Sequence, residues 1–130
     1  MSAFTVEFEN RSGELARLCE AMAARGVNIV VCGAAHGGTG TVAFIADDER
    51  GARAALEDAV IEYDERPALT IRMENVPGAG AKAFRKLADA GVNIDLLLPV
   101  RVSAEEFLAM ICAENLDAAA GALGDQVVSD

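Results

Sequence analysis

Residues 10–29 read NRSGELARLCEAMAARGVNI, and residues 75–94 read NVPGAGAKAFRKLADAGVNI. The two stretches align without a gap at an offset of 65. Asn10/Asn75, Gly13/Gly78, Ala16/Ala81, Ala23/Ala88, Gly26/Gly91, Val27/Val92, Asn28/Asn93 and Ile29/Ile94 are identical pairs. Alanine matches carry little weight in an alanine-rich chain. Asn-x-x-Gly followed at a fixed distance by Gly-Val-Asn-Ile, twice, carries much more, and it reads as a duplication. Upstream, the alternation Phe4, Val6, Phe8 recurs as Leu69, Ile71, Met73. A chain of 130 residues that would otherwise pass for one ordinary domain is therefore two copies of about 65.

Each copy predicts the same order of elements. Phe4, Val6 and Phe8 alternate with polar residues, the period of a half-buried strand. Asn10-Arg-Ser-Gly then turns the chain into a helix, with Asn10 or Ser12 as expected cap. Leu15, Leu18, Cys19 and Met22 form the expected buried stripe, and Gly26 ends the helix in a left-handed turn. Residues 27–35 are apolar on both faces, which predicts an inner strand. His36-Gly-Gly-Thr-Gly is read as a hairpin loop leading to a strand over 41–46. Asp47 is the expected cap of a second helix with stripe Ala52, Ala55, Leu56, Ala59, Val60, and a short strand over 61–65 follows. The second copy predicts strand 68–74, helix 78–90 burying Phe84, Leu87 and Ala88, strand 92–98, strand 106–112, helix 115–123 and strand 126–129. The expected class is α+β, two ferredoxin-like βαββαβ units with antiparallel sheets and helices on one face. The expected domains are 1–66 and 67–130. Units this small are marginal alone, so dimerisation is expected as well.

Composition narrows the function. Hydrophobic residues make up 52% of the chain, which is too apolar for disorder. Eleven basic against twenty-one acidic residues give net −10, which argues against nucleic acid and against an anionic membrane surface. No apolar run reaches the length of a membrane span, and the first residues have neither a basic nor an apolar leader region. Cys19, Cys32 and Cys112 are odd in number and widely spaced, so they read as buried hydrophobes in a reducing cytoplasm. One histidine and no paired cysteines make a zinc site a poor fit.

Catalytic arrangements are equally scarce. His36 lies in a glycine-rich loop with no nucleophile to serve. Gly37-Gly-Thr-Gly40 lacks the Lys-Ser/Thr of a phosphate loop, and Gly78-Ala-Gly80 lacks a third glycine. Asp47-Asp48-Glu49 sits where carboxylates favour a helix start. The repeated asparagines remain. Their plain reading is structural, since strand-to-helix turns and positions after a capping glycine both favour Asn. An asparagine amide also donates to a carboxylate and accepts from an ammonium, the two groups of a free amino acid, and a helix N-terminus attracts carboxylate.

Glu9-Asn-Arg-Ser-Gly13 with Gly26-Val-Asn-Ile29, and Glu74-Asn-Val-Pro-Gly78 with Gly91-Val-Asn-Ile94, resemble ACT domains over essentially the whole chain, as two tandem copies. The resemblance implies βαββαβ regulatory modules that bind amino acids at interfaces between paired units. Carried over by position, it implies ligand contacts at Asn10, Arg11, Ser12, Gly13 and Asn28, and at Asn75, Val76, Pro77, Gly78 and Asn93. The family's Asn-x-Pro-Gly is met in the second copy, whereas the first has Ser12 in place of proline. The implied protein is a free-standing, non-catalytic regulator of amino-acid metabolism. It needs no cofactor or metal, forms a homodimer, and acts on a separate metabolic enzyme. Two alternatives stand beside it. One is an interaction subunit with no ligand of its own, and the other is an acylphosphatase-like hydrolase, for which Arg11 has no counterpart at Val76.

Overall fold

The computed structural model describes residues 1–129. The chain forms two compact units, one of Ser2–Arg66 and one running from Pro67 onward together with Met1. The first comprises β1 (Ser2–Glu9), α1 (Glu14–Ala24), β2 (Ile29–His36), β3 (Thr39–Ala46), α2 (Glu49–Asp58) and β4 (Asp64–Pro67). The second comprises β5 (Leu69–Glu74), α3 (Ala79–Asp89), β6 (Ile94–Val102), β7 (Glu106–Ala113) and α4 (Leu116–Leu123), then one 3₁₀ turn (Gly124–Gln126). Strand order is β2-β3-β1-β4 in one sheet and β5-β7-β6 in the other. The α+β class with tandem ferredoxin-like units is the observed architecture.

Pairing of the alternating strands places their apolar faces together. In the first unit Phe4 lies opposite Phe44 and Val6 opposite Val42. Phe4 and Phe44 stack with ring centroids 5.1 Å apart, and Leu18 and Met22 of α1 with Ala52, Ala55 and Leu56 of α2 close over them. The second core joins Ile71, Met73, Ala109 and Ile111 to Ala83 and Leu87 of α3 and Ala119 and Leu123 of α4.

The copies differ in one hairpin. Phe44 faces Phe4, but Ile111, not Ala109, faces Leu69, so the offset of 65 becomes 67 after β6. The two extra residues are absorbed as register shifts between Ile94 and Leu96 and between Pro99 and Arg101. Each is a bulge, and the bulges carry β6 through Pro99 to Val102, where the sequence had suggested a stop.

Other expectations are corrected. Segment 126–129 is not a strand. It touches β5 through the bridge Ile71–Val127, a Val128 N–H to Thr70 carbonyl bond of 2.9 Å and the Gln126 amide, which donates to the Arg72 carbonyl at 3.5 Å. β2 is an edge strand, because two-sided apolarity is a property of the segment and cannot report which neighbours it has. Consequently Cys32 is exposed. Leu15 and Cys19 are exposed too, since α1 buries only the Leu18–Met22 line, and only Cys112 is buried. Ala83 is buried in α3 where Ala88 was expected, and Phe84 is partly buried against the core. Asp48 rather than Asp47 caps α2, accepting from the Gly51 N–H at 2.9 Å. Asp47 instead closes the β2–β3 ladder, accepting from the Asn28 N–H at 2.9 Å.

Val60 leaves the α2 stripe altogether. It is 86% exposed and sits at φ 55°, the left-handed region that costs a β-branched residue of order 1–3 kcal/mol. Gly124 has the same φ, 56°, at the end of α4 without that cost. Val60→Asn is expected to raise stability by about 1 kcal/mol in denaturant unfolding, since asparagine tolerates this conformation.

Arg53 of α2 holds Glu65 of β4 through two bonds of 2.5 and 2.9 Å. The hydrogen bond from Arg53 keeps the Glu65 carboxyl below its ordinary range. A depressed carboxyl pKa stabilises the fold at neutral pH, and that contribution is lost as pH falls through the folded-state value. Glu65→Gln should therefore lower the melting temperature at pH 7. The gap from the parent should close as pH drops below the ordinary glutamate value of about 4.3.

Candidate functional site

The two strand-to-helix turns are nearly superimposable in conformation. Gly13 has φ 94° and ψ −14°, and Gly78 has φ 89° and ψ −11°. Only a residue without Cβ adopts this backbone readily, which accounts for the repeated glycine. These glycines, not Asn10 or Ser12, occupy the cap positions of α1 and α3, and no side chain caps either helix. By contrast α2 is capped by Asp48 and α4 by Asn115, which accepts from the Ala118 N–H at 2.9 Å. The first N–H groups of α1 and α3 are thus left without a side-chain acceptor.

Asn10 and Asn75 do something else. The Asn10 amide donates to the Gly37 carbonyl at 3.0 Å, and its backbone N–H donates to the Gly38 carbonyl at 3.0 Å. The Asn75 amide donates to the Ser103 carbonyl at 2.7 Å, and its N–H donates to the Glu105 carbonyl at 3.0 Å. Each asparagine pins the turn to the neighbouring hairpin, in the same way in both copies.

Asn28 and Asn93 lie elsewhere. They follow Gly26 and Gly91 at the far end of each helix, and an eleven-residue helix is roughly 16 Å long. Within a unit the structure does not bring them to the loop. Asn93 donates to Asp95 at 3.2 Å. Arg11 is engaged at home, bonded to Glu14 at 2.8 Å and Glu9 at 3.2 Å, and the hydrogen bond to Glu14 raises its pKa further.

Each loop borders an open groove. At the first, about 470 Å3 is lined by Asn10, Arg11, Ser12 and Gly13 with Leu15, Ala16, Val31, Ala34 and Ala35, and it is largely apolar. At the second, about 750 Å3 runs beside Val76, Pro77 and Gly78 along α3 and β5. That groove carries Arg72, Lys82 and Lys86 on one hand and Glu74, Glu105 and Asp125 on the other. Arg72 pairs with Glu106 at 2.8 Å, and Lys86 reaches Gln126 at 3.2 Å. Lys82, one turn into α3, is exposed and makes no ion pair among the described residues. The first turn of α3 contains no acid, whereas that of α1 contains Glu14. Sequence reasoning missed Lys82. Its place four residues after Gly78 was the available signal, since that spacing stacks it above the helix start.

Among the described residues no three His, Cys, Asp or Glu side chains gather as a metal cluster. No helix among them is long and apolar enough to cross a membrane.

If the asparagines are structural pins, Asn10→Ala and Asn75→Ala should each cost about 1 kcal/mol in denaturant unfolding, from the lost amide bond.

The sequence matches no protein-family model and no curated protein. Solved structures are similar. A protein from Bacteroides thetaiotaomicron, BT0572, is 25% identical with a TM-score of 0.86, over 98% of this chain and 90% of that one. The ligand-free regulatory subunit of aspartate kinase from Thermus thermophilus is 22% identical with a TM-score of 0.72, over 96% and 91%. The aspartate kinase of Clostridium acetobutylicum, described as an allosteric enzyme, is 14% identical with a TM-score of 0.62, over 94% of this chain but 32% of its own. With two tandem ferredoxin-like units and this likeness along nearly its whole length, the chain shares the fold of these solved structures.

Proposed function

We propose that this chain is a non-catalytic regulatory protein whose two units, 1–66 and 67–130, are ACT domains binding a small amino acid or related metabolite. It works in the cytoplasm as a homodimer, a subunit separate from the metabolic enzyme it modulates. The observation that carries the reading is the pair of turns at Gly13 and Gly78. They have the same left-handed geometry and head uncapped helices, while the other two helices are capped. An uncapped helix start suits a carboxylate, and backbone donors read it without needing a particular side chain. The candidate contacts are Asn10, Arg11, Ser12 and Gly13 in one copy and Asn75, Val76, Pro77 and Gly78 in the other.

The second loop is the better site. Its helix start has no competing acid, Lys82 supplies a cation, and Glu74 and Glu105, which line the same groove, suit an ammonium. Asn28 and Asn93, a helix length from the loop of their own copy, join the candidate contacts through a paired unit, whose loop they would meet at the interface. The separate-subunit reading draws on the likeness in fold to the regulatory subunit of aspartate kinase from Thermus thermophilus.

Thermal unfolding with each of the twenty amino acids at millimolar concentration tests the proposal. A ligand at 100 times its Kd stabilises by about 2.7 kcal/mol. No shift with any of them would overturn amino-acid binding. Ala81→Glu places an acid on the exposed third position of α3, where it favours the helix but repels a carboxylate. The variant should keep its melting temperature without ligand and lose most of the ligand-induced shift.

A further inference from the structure

Gly80 is the second residue of α3, in ordinary right-handed backbone. No turn or positive φ asks for glycine there, and apart from proline it is the residue least favourable to a helix. Close packing does not ask for it either. A Cβ at this position would meet only the Phe84 ring among the described residues, at 3.4 and 3.8 Å, an ordinary contact. The matching position of the first copy holds Leu15. What glycine leaves at position 80 is space. A notch of about 220 Å3 opens there between α3 and the sheet, lined by Met73, Val76, Gly80, Phe84, Leu97 and Phe107. Glu74 is the one charged side chain among its lining residues, and the Asn75 amide there is already bonded to Ser103. Val76 and Leu97 are 53% and 38% exposed, so the rim offers large apolar side chains to solvent. Met73, Glu74, Val76 and Ala79 line both this notch and the groove of about 750 Å3, so the two open side by side at the loop.

We infer that this notch takes the side chain of the bound amino acid, and that the ligand class is therefore apolar and non-aromatic, in the size of leucine, isoleucine or methionine. The inference rests on the amino-acid reading above and deepens it. A carboxylate at the head of α3 and an ammonium at Glu74 leave the side chain beside Val76, where the notch opens. Its volume is below the roughly 300 Å3 at which sites for drug-sized ligands begin, so it suits one side chain rather than a whole larger metabolite. A charged or amide side chain there would give up its water with no free partner on the wall, a cost that an apolar one escapes. Burying the apolar side chain takes area out of water on both surfaces. Gly80 is then the residue that sets the size the site accepts. A larger residue at that position fills the notch at no cost to the helix.

The test is calorimetric titration of the full chain with each of the twenty amino acids, repeated with leucine, isoleucine and methionine on Gly80→Leu. The expected ranking puts one of those three at least about tenfold tighter than alanine, since a missing methylene in an apolar pocket costs about tenfold or more. Gly80→Leu should melt no lower than the parent without ligand, because leucine favours a helix over glycine. It should bind the preferred amino acid at least about tenfold more weakly. A polar, charged or aromatic amino acid binding more tightly than all three would overturn the notch and leave amino-acid binding standing. Unchanged affinity in a folded Gly80→Leu would overturn the notch in the same way. Should that variant fail to fold, the ranking on the parent chain decides alone. No binding of any of the twenty would overturn the amino-acid reading together with the notch.

Discussion

Everything in each unit hangs on the turn from its first strand into its first helix. A left-handed glycine points the helix back across the sheet, and an asparagine two hydrogen bonds deep in the adjacent hairpin holds the turn in place. The helix then lays Leu18 and Met22, or Ala83 and Leu87, on the strands, and the second helix closes the core beside it. Because the glycine has no side chain to cap with, the same turn leaves helix donors facing outward. One constraint thus builds the fold and creates the feature on which the functional reading rests.

The two copies keep that turn and diverge around it. The first unit carries five basic and twelve acidic side chains over residues 1–65, and the second six and nine over 66–130. The difference is concentrated where it matters, with Glu14 at the head of α1 and Lys82 above the head of α3. The sheet edges diverge in the same manner. Two extra residues, taken up as bulges, roughen β6, while β2 stays smooth and neutral. The duplication thus keeps one turn chemistry while its copies differ in groove lining and sheet edge.

The repeat, the order of elements up to the last strand and most of the core were legible without coordinates. Phe4, Val6, Ile71 and Met73 alternate, and Leu87 and Leu56 fall on helical stripes. The site was legible only in part. Asn10 and Asn75 stood out because they recur, yet recurrence could not distinguish a ligand contact from a pin, and their amides are occupied by Gly37 and Ser103. Asn28 and Asn93 share the repeat but sit a helix length from the loops. Lys82 went unnoticed because it has no matching lysine in the first copy, where Arg17 stands instead and reaches the Ala59 carbonyl at 3.3 Å.

By itself the amino-acid sequence determined the periodic patterns, the glycines that demand positive φ and the places where helices begin and end, because these depend on residues close together in the chain. Tertiary structure alone decided that β2 is an edge, that Leu15, Cys19 and Cys32 face solvent, and that β6 bulges rather than stops at Pro99. An apolar strand looks the same from within whether one neighbour or two will flank it. Neighbours are assigned by strand order, and strand order is set by how distant segments share one core.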